Sequence, residues 1–413
     1  MPSWKRNLVV LCLAQLLTMV GFTSYFPSIP FLIQEMGVTS TSETASWLAA
    51  FWSGGSIAMM IASPIWGSLS DRWGRKVMLV RATAAGAILA FVMSLVQTPQ
   101  QLIVVRVLQG VFCGTVSASI TLVATQTPDE HLGFSLGAMQ TAQFVGQALG
   151  PLVGGVIADA LGIRRVFVVS AIMMAVSVTL TITLVREKRQ EADPDAAGDQ
   201  APQDGFWAGM RTALSRDILM LLLGMACVSL AYAVVSPIMS LYVQSLAPDS
   251  ERLSTLAGAA VSVSAVTSAV ASLAVGRLGD RHGQKAVLVV CGFCAMAIHI
   301  PQAWVNAIWQ LLVLRAFQGV FLGGMTPTAN ALLAKITPEE RRGTVFGISS
   351  SFSAGGRAVG PAIGAGVAAA FGMPPVFLVT AGIFCMVALL TTFFVREPKE
   401  ALSQVPALDL PCP

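Results

Sequence analysis

The chain repeats itself once, and this repeat is the feature that most constrains its fold. The segment GSLSDRWGRK at Gly67–Lys76 returns as GRLGDRHGQK at Gly276–Lys285, 209 residues later. Because the period is half of the 413-residue chain, and solenoids repeat every 20–50 residues or so, the sequence predicts two equal, homologous halves. Four further pairs keep the same order at a shift of 209 or 210: RVLQG at 106–110 with RAFQG at 315–319, TPDE at 127–130 with TPEE at 337–340, GP at 150–151 with 360–361, and VRE at 185–187 with 395–397.

The composition indicates that lipid surrounds most of the surface. The chain is 55% apolar and 11% charged, whereas an average soluble domain is about 25% charged. Apolar stretches recur, each long enough to cross a hydrocarbon layer of about 30 Å as a helix. The sequence predicts twelve spans: 8–29, 45–66, 77–97, 100–123, 134–158, 164–185, 217–243, 254–276, 286–304, 307–333, 345–370 and 375–395.

The predicted fold class is therefore an all-α membrane protein of 12 transmembrane helices in two homologous six-helix bundles. The bundles are residues 1–185 and 217–396, joined by a polar cytoplasmic linker at 186–216 and followed by a cytoplasmic tail at 397–413. An even number of spans puts both termini on one side. That side holds 19 of the 25 Lys and Arg residues, so the positive-inside rule predicts cytoplasmic termini. The net charge of +4 then reflects topology and gives no sign of nucleic-acid binding.

Several residue patterns typical of enzymes are missing from the sequence. It contains no HExxH or Walker motif, so we predict no catalytic site, no metal and no cofactor. No span has an obvious carboxylate near its middle, because Glu35 and Asp159 fall close to span ends. His299, in the ninth span, is interpreted as a peripheral polar residue.

The repeated segment at 67–76 is predicted to be a loop between spans two and three. Its glycines allow a tight reversal at the membrane surface, and Asp71 can pair with a nearby arginine or with a helix N-terminus. The second copy has Gln284 in place of Arg75, which predicts a weaker contact there. The candidate gating residues in the two copies are Gly67, Asp71, Arg72, Gly74, Arg75, Asp280, Arg281 and Gly283.

Two further motifs lie inside spans. Arg106 in span four and its repeat Arg315 place a guanidinium in the bundle, which is costly and points to function. In span five, glycines at an i, i+4, i+8 spacing line one face, where a neighbouring backbone can approach closely, and a proline bends the helix. Bulk on this face is expected to hold two helices apart. The residues of this motif are Gly146, Gly150, Pro151 and Gly154, repeated in span eleven with Gly360 and Pro361.

With these motifs, residues 5–397 resemble the major facilitator superfamily, and within it the twelve-span drug:proton antiporters of the multidrug-resistance and tetracycline-efflux branches. The resemblance implies that the 67–76 segment latches the halves, that Arg106 serves proton transfer or cavity polarity, and that the Gly-Pro motif marks an exporter. It also implies protons as the coupling ion and a monomer in the cell inner membrane. Spans one, four, seven and ten would line a cavity, with candidate wall residues Gln15, Phe22, Tyr25, Phe26, Phe51, Trp52, Gln143, Gln147, Tyr232, Tyr242, Arg315, Asn330 and Arg357.

Three functions remain open from the sequence. The first is a proton-driven exporter of small amphipathic drugs. The second is a dedicated exporter of one metabolite, such as a sugar, siderophore or amino-acid derivative. The third is a membrane receptor without transport, which the paired latch segments and bent helices disfavour. Three arginines in spans without a compensating acid predict an electropositive cavity that prefers neutral or anionic compounds.

The position of Asp71 far from a central cavity gives the first testable prediction. We expect Asp71→Asn to abolish transport while equilibrium drug binding changes by no more than a few fold, because the carboxylate acts on the conformational cycle. Transport and binding measured on the same purified protein test this. A large loss of binding at normal expression would contradict it.

Overall fold

The computed structural model describes residues 3–73, 75–112, 115–128, 131–185, 215–338 and 342–396. Within these ranges the protein is helical and contains no strand. Spans 1 to 6 are Ser3–Ser24 with a 3₁₀ turn at Phe26–Ser28 and helix Ile29–Glu35, then Thr41–Trp73, Arg75–Leu95, Pro99–Phe112 with Thr115–Gln126, Leu132–Leu161 and Ile163–Leu184. Spans 7 to 12 are Arg216–Val235 with Met239–Leu246, then Leu253–His282, Gln284–Gln302, Ile308–Ile336, Arg342–Phe371 and Pro374–Phe394.

The helices confirm the predicted architecture of twelve spans in two halves. Among the described residues, ten helical stretches are long and apolar enough to cross a membrane. The other two, spans 4 and 11, pack among them within the halves, span 4 on span 3 and span 11 on span 7. The predicted linker at 186–216, apart from residues 215 and 216, and the tail at 397–413 lie outside the described ranges.

The first span of each half is broken near its far end by a proline. Span 1 changes to a 3₁₀ turn at Phe26–Ser28, around Pro27, and continues to Glu35. Span 7 breaks between Val235 and Met239, around Pro237, which is 210 residues from Pro27. A proline has no N–H to donate and clashes with the preceding turn. The predicted end of span 1 at residue 29 was therefore too early.

The prediction that residues 67–76 form a loop was wrong. Span 2 stays helical through Trp73 and span 3 begins at Arg75, so Gly67, Asp71 and Arg72 belong to the last two turns of a helix. In the second copy the reversal is the single residue Gly283, whose φ of +93° suits glycine. Gly74, its counterpart, lies outside the described residues. In the second copy the motif is thus a helix end followed by a one-residue turn, and in the first copy residues 67–73 continue the helix of span 2.

The glycine face of span 5 packs on span 1, as the spacing predicts. Gly150 lies against Val20 and Thr23, and a Cβ there would collide with the Thr23 hydroxyl. Gly154 lies on the carbonyl of Ser24 in span 1, and Gly146 lies against Met19 of that span. The absence of side chains lets the two backbones touch, which is how helices associate where no hydrophobic effect drives them.

The repeat of this face in span 11 packs on span 7 in the same way. Gly356 lies on the carbonyl of Ala226, Gly364 on that of Val234, and Gly360 lies between them. Each half therefore has its fifth span bound to its first span through three glycines. The prediction of close backbone approach is confirmed in both halves, and the contact is internal to each half.

The two halves meet through other faces of the same helices. Span 5 packs on span 8, and span 11 packs on span 2. Gly155 has no room for a Cβ because the carbonyl of Ser254 in span 8 occupies that place, and Gly258 faces the carbonyl of Pro151 in the same manner. These residues lie in the half of each span farthest from the chain termini, which we call the distal end.

The glycines of span 5 therefore separate into two roles that substitution can distinguish. We expect Gly150→Leu to lower the stability of the first half, since overpacking costs about 1–3 kcal/mol. We expect Gly155→Leu to leave the halves folded but to hold the distal end open. Thermal unfolding and a distance measured across the distal end check the two effects. Equal effects of both substitutions on both measurements would contradict this division.

Candidate functional site

A carboxylate of the first half caps a helix of the second half at the distal end. Asp159, near the end of span 5, accepts hydrogen bonds from the backbone N–H groups of Ser254 (3.1 Å) and Thr255 (2.7 Å). These belong to the first turn of span 8, whose own N-cap residue, Arg252, provides no side-chain cap. The negative charge lies at the positive end of the helix dipole and satisfies two N–H groups that otherwise lack partners. It ties the halves together.

A second polar contact joins the halves at the same end. Gln34 and Gln244 exchange two amide hydrogen bonds of 3.0 and 3.1 Å. The two residues are 210 positions apart, so they are repeat mates that meet on the pseudo-two-fold axis. Around them the apolar clusters cross the boundary: Leu241 and Ala365 of the second half pack with the first-half cluster that contains Phe51. The distal end is closed by polar and apolar contacts together.

Next to the bend in span 5, one more hydrogen bond crosses between the halves. Leu152 follows Pro151 and donates its backbone N–H to the Ser262 hydroxyl of span 8 (3.1 Å). The Gly-Pro motif of span 5 therefore serves two contacts. Its glycines hold span 1, and its proline segment holds span 8.

Arg106 lies in the first half, enclosed by aromatic rings. The centre of its guanidinium is 5.0–5.7 Å from four ring centroids, those of Phe22, Phe26, Phe51 and Trp52. Such cation–π contacts are worth about 0.5–2 kcal/mol each, more when water is excluded. Arg106, a predicted gating and coupling residue, is 7% exposed. Its charge is therefore shielded from the space between the halves in this conformation.

Hydrogen bonds fix the position of Arg106 in this ring cage. Its Nη1 donates to Gln109 Oε1 (2.6 Å), which also accepts from the Tyr25 hydroxyl (3.2 Å). Gly55 of span 2 leaves the space that the guanidinium fills, since a Cβ there would be 2.8 Å from Arg106 Nε. Tyr25, predicted to be a wall residue, is fully buried and stacks on Phe167 inside the first half.

The repeated arginine has different surroundings. Arg315 keeps the same i, i+3 partner, donating from Nη1 to Gln318 Oε1 (3.0 Å), and its Nε donates to the Ala260 carbonyl of span 8 (3.1 Å). Instead of four rings it borders a cavity of about 50 Å³ that is also lined by Tyr232 and His299. Tyr232 stands 210 positions from Phe22, but its ring is 45% exposed. Of the two buried arginines, Arg315 is the one with a cavity beside it.

The remaining predicted wall residues occupy varied positions. Gln143 is 3% exposed inside the first half, whereas Gln147 one turn later is exposed. Phe26 and Asn330 are half-buried. Arg357 is exposed on span 11, beside the glycine face that packs on span 7. The interpretation of His299 as peripheral was wrong, because its ring is 1% exposed.

The lysines that end the repeated motif make contacts within their own half. Lys76 donates from Nζ to the carbonyls of Ile182 (2.9 Å) and Val185 (2.6 Å), at the end of span 6. Lys285 donates likewise to the carbonyl of Thr392 (2.9 Å), near the end of span 12. A cation there complements the negative end of the helix dipole. The side chains of Asp71, Arg72 and Asp280 lie outside what the structure describes. Arg75 is half-buried, and Arg281 is exposed.

The sequence contained a signal for one residue pair that our prediction missed. Gln34 and Gln244 obey the same shift of 210 as the motifs, so a systematic search for repeat mates finds them. Asp159 has no acidic mate, because Ala369 occupies the equivalent position. Only the fold brings Asp159 to the first turn of span 8.

Two repeated bundles of membrane-spanning helices that touch through opposed helix pairs at one end have the architecture of a membrane transport protein. The profile of the Major Facilitator Superfamily matches residues 11–250 and 221–410. The chain is 33% identical over 401 residues to the multidrug resistance protein MdtG of Citrobacter koseri, covering 97% of this chain and 98% of that protein. It is 32% identical over 400 residues to the protein of the same name from Salmonella typhimurium, with the same coverage. The chain therefore belongs to the Major Facilitator Superfamily.

Solved structures share this fold at low sequence identity. The nucleoside transporter NupG has a TM-score of 0.75 at 16% identity, covering 93% of this chain and 98% of that chain. A bacterial homolog of the human lysosomal transporter Spinster, in an inward-facing and unoccupied conformation, has a TM-score of 0.75 at 15% identity, covering 95% and 98%. These likenesses concern the fold alone.

The cap on span 8 gives a prediction about the conformational equilibrium. Removing the charge with Asp159→Asn should lower the ratio of closed to open distal ends by about two- to thirtyfold, since such contacts contribute about 0.3–2 kcal/mol. Spin-label distances across the distal end measure this population. Asp249→Asn, which changes an exposed carboxylate at the same end, is the matched control. An unchanged distance distribution in Asp159→Asn would show that the cap does not bias the cycle.

Proposed function

We propose that the protein is a secondary active exporter of small amphipathic drugs, driven by proton exchange across the cell inner membrane. The observation that supports this most is the arrangement of the halves: their specific contacts, through Asp159, Gln34 and Gly155, lie at the distal end. Relatives that match nearly the whole chain at 32–33% identity are named multidrug resistance proteins. The conclusion for this chain is transport of drugs and no enzymatic reaction.

The orientation in the membrane follows from the charge distribution. With both termini in the cytoplasm, the distal end faces outward, and the present conformation is closed to the outside. A distal end closed in this way is that of an inward-facing state, which takes up compounds from the cytoplasm. We infer that the protein acts as a monomer, because each half supplies the partner helices for the other. Asp71 and its repeat Asp280 remain the proposed latch of the opposite, outward-facing state.

A direct test uses transport into vesicles. Purified protein is reconstituted in liposomes, and uptake of radiolabelled chloramphenicol, a neutral amphipathic drug, is measured with and without a pH gradient. Uptake that rises several fold with an acidic interior supports proton-driven export. Resistance to a panel of unrelated drugs in an efflux-deficient host separates a multidrug exporter from a dedicated metabolite exporter. A chain that confers no resistance and shows no counterflow of any drug would fit the receptor alternative.

The buried arginines predict which drugs the protein prefers. Within the predicted electropositive set, Arg357 is exposed and Arg315 is buried beside a cavity of about 50 Å³, whereas four rings surround Arg106. An uncompensated guanidinium repels a cation by about 1 kcal/mol or more at a few ångströms, and it attracts carboxylates through paired hydrogen bonds. We therefore expect stronger resistance to fusidic acid, an amphipathic carboxylate, than to ethidium, a permanent cation.

Arg357→Gln tests the least supported of the three arginines predicted to make the cavity electropositive. We expect the variant to reduce the ratio of fusidic acid resistance to ethidium resistance by a few fold, because it removes one positive charge from the proposed drug pathway. Growth inhibition by both compounds is measured in the efflux-deficient host at matched expression. Strong ethidium export by the wild-type protein that stays unchanged in Arg357→Gln would contradict an electropositive cavity.

A further inference from the structure

The chain raises a problem for any proton-coupled mechanism, because it has no carboxylate inside its spans. The chain has 21 acidic residues. Those in described helices, for example Glu43, Asp159 and Asp217, lie within two residues of a span end. The other acidic residues fall in connecting segments and the tail. A proton that crosses with the conformational change needs a titratable group inside the protein. The sequence offers three histidines as alternatives to a carboxylate.

Two of these histidines lie at helix ends and are exposed. His131 precedes span 5 and stacks on Trp4, and His282 is the last residue of span 8. His299 differs from both, since its ring is 1% exposed inside the second half. It packs at 5.0 Å, centroid to centroid, on the ring of Phe384 in span 12. Its counterpart in the first half is Ala90, so this histidine is a departure from the repeat.

The hydrogen bond of His299 identifies the nitrogen that is free to accept a proton. Nδ1 is 2.7 Å from the carbonyl oxygen of Ala295. A carbonyl oxygen only accepts, so Nδ1 carries the hydrogen and donates it. The neutral ring therefore has its basic lone pair on Nε2. The ring lines the cavity of about 50 Å³ beside Arg315, which has room for water.

We propose that His299 binds the coupling proton at Nε2, in competition with the present hydrogen bonds of Arg315. This inference rests on the proposed proton-driven export. The charged or titratable groups that face the ring are Arg315 from span 10 and Tyr232 from span 7, while span 12 presents Phe384. No carboxylate lines this cavity among the described residues. Two positive charges in one small cavity repel each other, so protonation of the ring disfavours the observed place of the guanidinium.

Protonation of His299 would affect the contact between the halves through one hydrogen bond of Arg315. Arg315 donates from Nε to the carbonyl of Ala260 in span 8. Gly258, two residues before Ala260, touches Pro151 of span 5. Ser262, two residues after Ala260, accepts a hydrogen bond from the backbone N–H of Leu152 in the same span. A proton that enters from outside adds to Nε2, Nδ1 keeps its hydrogen, and Arg315 leaves Ala260. When the halves reverse, Nε2 releases the same proton to the cytoplasm and Arg315 returns.

The test uses the proton itself as the probe, without a drug. Labels attached through unnatural amino acids at positions 35 and 248, exposed at the distal ends of spans 1 and 7, report the distance between the halves in reconstituted protein. We expect the ratio of open to closed distal ends to change at least tenfold between pH 8 and pH 5 in the wild type, and less than twofold in His299→Gln. His131→Gln, which alters an exposed histidine outside the repeated segment, should respond as the wild type does.

A second measurement needs no substitution at the site. In protein labelled with ¹⁵N-histidine, the three histidines give few signals, and the buried ring should change at Nε2 alone as it gains a proton between pH 8 and pH 4. A buried ring that stays neutral throughout, or a His299→Gln protein that keeps the wild-type pH response, would overturn the assignment. A wild type with neither a pH response nor gradient-driven uptake of chloramphenicol would instead reject proton-driven export, and the assignment with it.

Discussion

Close contact between helix backbones, made possible by glycine, is the interaction on which the rest of this structure depends. Lipid tails are as apolar as the helices, so packing and polar contacts must hold the spans together. One glycine face, at residues 146, 150 and 154, binds span 5 to span 1 within the first half. A neighbouring position, Gly155, lets the same helix touch span 8 of the other half. The contact within a half and the contact between the halves therefore come from adjacent faces of one helix.

The two halves share a backbone plan but treat their buried arginines differently. Both hold the guanidinium by a glutamine three residues later, with bonds of 2.6 and 3.0 Å. In the first half, four rings exclude water from Arg106. In the second half, Arg315 has Tyr232 and His299 beside a cavity. We interpret the first site as a fixed structural charge and the second as the place where chemistry changes during the cycle.

The repeat and the apolar stretches were enough to predict twelve spans, two halves and the glycine contacts, because periodicity and composition express local physics. The motif at 67–76 was misread as a loop, since two glycines in ten residues suggested a reversal while Gly283 alone makes it in the second copy. Asp159 and His299 could not be placed, because an acid at a span end and a histidine in a span acquire meaning only from helices distant in sequence. The side chains of Asp71 and Asp280 lie outside what the structure describes, so their latch role stays a prediction.

The free energies involved explain why these contacts are few and weak. A gradient of one pH unit supplies about 1.4 kcal/mol for each proton, so a transporter driven by it cannot hold one conformation with a much larger bias. The cap that Asp159 places on span 8 is of this size, about 0.3–2 kcal/mol. The pair of side-chain hydrogen bonds between Gln34 and Gln244 adds a contact of similar strength. The strength of the polar contacts between the halves therefore matches the energy that a proton can deliver.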